Sequence, residues 1–197
     1  MYTPQHFAET DPETIAAFIR ENAFGVMVSV VDGKATASQI PFLYEVDTGV
    51  LLGHVARANP QWQELSSAQD VLVIFQGPHA YVSPTWYKGA GVPTWNYATV
   101  QVRGTATTFD DPERLRQLLA RLTDRYEATR PEPWSGDYNP RMLEQIVGIE
   151  ISITECQAKF KLSQNRPLDD RRAVAEKLGE AGLSDSQRLA AMMEKDL

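Results

Sequence analysis

Arg57 and Asn59 lie inside the stretch HVARANPQW, which begins at His54, and their types and spacing suit the binding of an anion. Strand character ends near Val55 and Ala56, a guanidinium follows, and Asn59-Pro60 reads as the cap and first turn of a short helix reaching about Leu65. A helix start presents backbone N–H groups, so a fixed cation beside one suits a phosphate. Pro60 has no N–H, so donors would come from its neighbours, with the His54 and Asn59 side chains as supplements. The plainer reading is a surface cation next to an ordinary cap, and for these residues taken alone it is the commoner one.

Two further blocks, GPHAYVSPTWY from Gly77 and VPTWNY from Val92, crowd Trp86, Tyr87, Trp95 and Tyr97 around prolines and a glycine-containing loop. That arrangement suits a flat ligand better than an alternating strand surface. A flat ring with an anionic tail describes a nucleotide-type cofactor. His79 and Tyr81 either line the same cavity or support the loop. The three histidines, His6, His54 and His79, have no metal-ligand spacing, so no metal centre is expected. No nucleophile elbow, Walker loop or glycine-rich dinucleotide fingerprint is present.

The elements that must position these residues are mostly short strands. Asp11, Pro12 and the helical spacing of Ile15, Phe18 and Ile19 predict an N-terminal helix. FGVMVSVV from Phe24, then Asp32-Gly33, then KATASQIPF, predict a tight hairpin, and a turn at Asp47 to Gly49 leads into VLLGHV. DVLVIFQG and segments near 80–83, 97–108, 149–155 and 158–162 bring the expected count to about seven strands. Asp111-Pro112 opens a longer helix with an apolar stripe of Leu115, Leu118, Leu119, Leu122 and Tyr126. The Pro-rich stretch RPEPWSGDYNP, from Arg130, reads as a loop anchored by Trp134. Hairpins with a few covering helices predict an α+β fold with a β-barrel core. Beyond Arg166-Pro167, two short helices are expected from about Asp169 and Ser184, the second opened by a Ser184/Gln187 capping box. The domains are accordingly drawn as 1–166 and a C-terminal helical extension, 167–197.

At 197 residues the chain can bury a sizeable core. No apolar run approaches the roughly 20 residues a bilayer crossing needs, and no basic-then-apolar leader opens the sequence, so a cytoplasmic protein without membrane partners is expected. The single cysteine, Cys156, excludes an intrachain disulfide and is expected to be at least half-buried on a strand. A net charge of −7 and a pI of about 5.0 oppose the broad positive field of a protein that holds many DNA phosphates. The C-terminal helix pair carries slightly more acids than bases from Asp169 onward, which favours a packing or dimer-facing hairpin over a DNA-reading one.

The three blocks, with KLSQNR from Lys161, closely resemble the PaiB family of FMN-binding proteins, usually described as negative transcriptional regulators with an FMN-binding split-barrel fold. The resemblance runs from Tyr2 to about Arg172. It implies FMN as cofactor, with Val55, Ala56, Arg57, Asn59 and His54 at the phosphate. It also implies an isoalloxazine ring against the backbone of Ser38, Gln39 and Ile40, just before Pro41, at a homodimer interface. Trp95, Asn96, Lys161 and Gln164 would then come from the second subunit. An ammonium or amide at the pyrimidine edge would stabilise negative charge on a reduced flavin. Read without the resemblance, Pro41 as a plain strand end and Lys161 as a solvated lysine are equally good accounts.

Three functions follow as expectations. The first is an FMN-binding negative regulator, with DNA a candidate partner that no local basic motif supports. The second is an FMN-dependent oxidoreductase of split-barrel type. The third, ranked last, is haem binding or degradation, with His54 or His79 as an axial ligand.

Overall fold

The computed structural model describes residues 1–65, 70–134 and 138–197, so Ser135, Gly136 and Asp137 of the Pro-rich loop lie outside the described residues. Among the described residues eight strands and six α-helices follow in order: β1 (Ala8–Glu9), α1 (Pro12–Glu21), β2 (Phe24–Val31), β3 (Lys34–Pro41), β4 (Leu43–Glu45), β5 (Val50–Ala56), α2 (Gln61–Glu64), β6 (Val71–Val82), β7 (Thr94–Phe109), α3 (Pro112–Glu127), α4 (Pro140–Leu143), β8 (Ile146–Lys161), α5 (Leu168–Glu180) and α6 (Ser184–Lys195). The sheet order is β3-β2-β6-β7-β8-β5-β4, with β1 also on β8, so β3 and β4 are the end strands. The class is α+β, as the strand and helix signals predict.

Local chemistry accounts for the element ends. Asp11 Oδ2 accepts the Thr14 N–H at 2.8 Å and opens α1, and Asp111 Oδ1 accepts the Arg114 N–H at 2.8 Å and opens α3. Asp32 and Gly33 both sit at positive φ, 51° and 75°, the backbone pattern of a two-residue turn whose twist matches its strands. That turn sets the β2–β3 register from Val31 opposite Lys34 to Phe24 opposite Pro41.

The chain divides into two compact units, with β6, β7 and β8 contributing residues to both. One unit comprises residues 19–74 and 102–156. Its core holds Met27, Ile40, Phe42, Leu51, Ile149 and Ile151, and the α3 stripe packs Leu118 and Leu122 against Leu43, Leu52 and Phe109. Tyr126, the last member of the expected stripe, is exposed. Gly53 is required here, since a Cβ on it would lie 2.8 Å from Ile40 Cγ2. The other unit comprises residues 1–18, 75–101 and 157–197, with Phe18, Phe75, Val82, Val100, Phe160, Val174, Leu178, Leu189 and Met193 buried in its core.

Several expectations are corrected. The segments before and after Gly77 form one strand, β6, and a Cβ at Gly77 would fall 2.5 Å from the Phe18 ring. Likewise 149–155 and 158–162 merge into β8. Ser184 does not cap α6: the cap position is Leu183, which makes no side-chain cap bond, so Ser184 is already inside the first turn. Cys156 is exposed on β8, not buried, although its surroundings desolvate the thiol enough to raise its pKa.

Candidate functional site

The loop after β5 and the second half of β3 converge through one side chain. Asn59 donates from Nδ2 to Ser38 Oγ at 2.8 Å, while its Oδ1 accepts the Gln61 N–H at 3.0 Å. The two bonds orient the amide and tie the loop after β5 to β3. α2 is only one turn, with Pro60 at its cap position and Asn59 just before it. The Asn59 N–H bonds Ala56 O at 2.9 Å and the Arg57 N–H bonds Gln145 O at 2.7 Å. Donors open to a ligand at this corner would therefore be side chains more than the helix end.

Arg57 is half-buried and already engaged. Its Nε donates to Glu144 O at 2.7 Å and its Nη2 to Ile146 O at 3.1 Å, with Asp110 Oδ2 at 3.8 Å from Nη2. It borders a groove of about 380 Å³ with Asp110, Pro112, Leu115, Pro140, Leu143 and Glu144. The fork of donors is thus held rigid by two carbonyls, which pre-organises the cation. The neighbouring carboxylates weaken its pull on a phosphate.

β2 and β3 present two unlike faces. Ser38 lies opposite Met27, and Thr36 opposite Ser29, on the face that α2 covers. Fully buried Gln61 donates there to Met27 O at 3.3 Å, Ser29 Oγ at 3.0 Å and Thr36 O at 3.1 Å, and Glu64 accepts from Ser29 and Thr36. The period-2 pleat turns Gln39 to the other face, opposite Val26 and exposed, and Ile40 back into the core. Because β3 ends the sheet, one of its backbone edges has no strand partner among the described residues. That edge suits the hydrogen-bonding rim of a flat heterocycle.

His54, Val55 and Ala56 separate along β5. Val55 is buried and Ala56 exposed, whereas His54 borders a groove of about 290 Å³ with Pro41, Leu119, Leu122, Thr123, Tyr126, Glu127 and Trp134. Its Nδ1 is buried without a hydrogen-bond partner, and burial holds the imidazole pKa below its ordinary value.

The second predicted group lies in the unit containing residues 75–101. Lys161 Nζ bonds Thr94 Oγ1 at 2.6 Å and also the Trp95 carbonyl oxygen. Burial, then Lys159 and Arg166, lower its pKa. Trp95 itself is 55% exposed, with Tyr81 and His79 beside its ring. Asn96 is fully buried on Ser163 Oγ at 2.9 Å and Met193 Sδ at 3.6 Å. Gln164 closes a turn, accepting from Leu162 N and donating to Phe160 O, both at 2.7 Å. So Trp95 and Lys161 stand at a surface, and Asn96 and Gln164 brace the backbone behind it.

The residues that sequence reading missed are Gln61, Glu64, Ser29 and Thr36. Gln61 follows Asn59-Pro60 directly, but nothing in its spacing marks it as buried. Among the described residues no His, Cys, Asp and Glu group could hold a metal ion. Each unit holds donors that fit FMN in kind: in one, an amide bonded to a hydroxyl, a fixed guanidinium two positions before that amide, and a strand edge unpaired among the described residues; in the other, an exposed indole near a half-buried ammonium.

The sequence profile of the family described as "Putative FMN-binding domain" matches residues 1–155. The chain is 39% identical over 204 residues to the protease synthase and sporulation protein PAI 2 of Bacillus subtilis (strain 168), an alignment covering 100% of this chain and 98% of the relative. Among solved structures it is similar to the flavocytochrome Anf3 of Azotobacter vinelandii, with a TM-score of 0.65 and 17% identity over 81% of this chain and 72% of that one. It is also similar to the FAD and heme binding protein of Mycobacterium smegmatis, with a TM-score of 0.64 and 18% identity over 84% of this chain and 78% of that one. At those identities the structures speak for the fold, which is that of the split-barrel flavin-binding proteins. The chain belongs to the PaiB family of FMN-binding proteins, and its cofactor is FMN.

Proposed function

We propose that this protein lowers the expression of target genes in response to the state of its bound FMN. The observation that carries the reading is the full-length relationship to PAI 2, joined to a corner where Asn59 links the Arg57 loop to Ser38. In this reading Arg57 and Asn59 meet the phosphate end of FMN, and the unpaired edge of β3 at Ser38, Gln39 and Ile40 meets the ring. When bound, FMN supplies hydride or electron transfer and a spectroscopic change between its oxidised and reduced forms. The chain's own residues bind, orient and cover it.

Two copies are part of the proposal. The face of the β2–β3 hairpin away from α2 carries Phe24, Val26, Val28, Val30, Ala35 and Ala37, with Phe24 65% and Val30 56% exposed. A mostly apolar strand face of this kind, interrupted by exposed Gln39 opposite Val26, suits burial against a second copy, whose Trp95 and Lys161 would approach the ring.

A second reading is an FMN-dependent oxidoreductase. The net charge of −7 favours it over direct DNA contact, since a chain this acidic lacks the field that gathers phosphates. The test is an absorbance spectrum of the purified protein, followed by nicotinamide addition and operator retention at raised salt. Salt-resistant, flavin-dependent retention of a specific fragment supports the regulator. Steady bleaching and turnover without retention would replace it by the enzyme.

A further inference from the structure

Tyr81, His79 and Trp95 form one exposed wall. The Trp95 and Tyr81 rings lie edge to face with centroids 6.0 Å apart, and the His79 ring centroid lies 6.3 Å from that of Trp95. All three project from the solvent side of their strands: His79 and Tyr81 alternate with buried Ala80 and Val82 on β6, and Trp95 precedes buried Asn96 on β7. Three exposed rings in a row are costly on a surface that nothing covers.

The C-terminal hairpin holds this wall from behind. His79 Nδ1 lies 3.5 Å from Asp185 Oδ2 of α6 and 3.4 Å from Gly77 O, two acceptors on one nitrogen. Both neighbours are acceptors, so an Nδ1–H has a partner on either side and the ring is oriented by them. Asp185 is itself steadied by Arg188, at 3.7 Å. One residue after Trp95, buried Asn96 reaches Met193 Sδ, also on α6. The wall is therefore fixed at both strands to one helix, and the loop following β6 is fixed to α5 through the Lys88 N–H on Asp170 at 2.8 Å.

We infer that Tyr81 and His79 are positioning residues for the flavin ring together with Trp95, and that Asp185 on α6 sets the wall's orientation through His79. This rests on the proposed placement of Trp95 at the ring. It gives the C-terminal hairpin a task in cofactor binding, where its balanced charge leaves it poorly suited to DNA. Tyrosine and tryptophan against a flavin quench its emission by donating an electron to the excited ring, which returns on decay. A merely structural contact would not produce that signature.

The test uses the full-length protein loaded with FMN, in the variants Trp95→Leu, Tyr81→Leu, His79→Gln and Asp185→Asn. FMN affinity, flavin emission and thermal midpoint are measured for each. Trp95→Leu and Tyr81→Leu are expected to weaken FMN by about tenfold each and to brighten the bound flavin. Asp185→Asn and His79→Gln are expected to change emission with only about a two- to threefold change in affinity, the effect of an exposed contact. If Trp95→Leu behaves as expected while Tyr81→Leu and His79→Gln, melting like the parent, leave affinity and emission unchanged, the inference is wrong and the ring placement survives. If Trp95→Leu too changes nothing, the ring placement itself falls, and the inference with it.

Discussion

The side-chain amide of Asn59 lies 2.8 Å from the hydroxyl of Ser38, and with the Gln61 and Glu64 bonds to Thr36 it ties the segment after β5 to the edge strand β3. Residues 21 positions apart thereby become one corner. Asn59→Ala removes this bond and the cap on Gln61, costing about 1 kcal/mol of stability, and is expected to weaken FMN by about five- to tenfold. Asn59→Asp keeps the cap but places a negative charge at the phosphate end, so it should bind FMN less well than the alanine variant. Titration of both with FMN decides the matter, and a tighter-binding aspartate would remove Asn59 from the phosphate.

Arg57→Ala is expected to weaken FMN by about 1.5–3 kcal/mol, the range of a charge-assisted bond. The same change frees the carbonyls of Glu144 and Ile146, so the thermal midpoint should fall as well. Arg57→Lys retains the charge without the fork and should recover part of the affinity but little of the stability. Calorimetric titration beside melting curves separates the two effects. Affinity unchanged in Arg57→Ala would leave the guanidinium as a brace alone.

Lys161 is half-buried with a depressed pKa and bonds the Trp95 carbonyl oxygen. Lys161→Gln keeps a donor and loses the charge. Reduced flavin is more negative than oxidised, so the variant's potential should move about 30 mV more negative if the ammonium contributes about 1.4 kcal/mol. Spectroelectrochemistry reads the shift directly. An unmoved potential would return Lys161 to a strand-end role.

Phe24→Asp places a charge on the exposed apolar face of the β2–β3 hairpin. Sedimentation should show the parent as a pair of chains and the variant as single chains, with weaker FMN binding in the variant because the ring would lose its covering subunit. A parent that sediments as one chain while holding FMN tightly would contradict the two-copy arrangement.

His54 supplies a pH signature. Burial holds its folded pKa below the ordinary 6.5, so in the window beneath 6.5 the unfolded chain takes up a proton that the folded chain does not. Its stability contribution is whole above 6.5 and diminishes as pH falls toward the folded value. His54→Phe should flatten the pH dependence of the urea midpoint between about pH 5 and 7. Parallel curves for the two proteins would show that another group carries the acid sensitivity.

What the chain's order of residues determined was local. Asp11, Asp111 and Asp32-Gly33 dictate helix starts and a hairpin through bonds within a few positions, and the aromatic and HVARANP blocks mark an FMN protein through residue identity. Tertiary structure decided everything that depends on distant neighbours. Gly77-Pro78 looks like a strand end and is not one: β6 runs through it, and the glycine is there because Phe18, distant in sequence, packs where a Cβ would be. Gln61 looks like a surface residue and is wholly buried, because its acceptors come from Met27, Ser29 and Thr36, far back in the chain. His54 and Arg57, three positions apart, border different grooves, since strand pleating and the loop that follows turn neighbouring side chains to unlike surroundings. Hydrogen bonds and contacts across long sequence separations leave no periodic trace in a single sequence, which is why the elements were legible and the site's wiring was not.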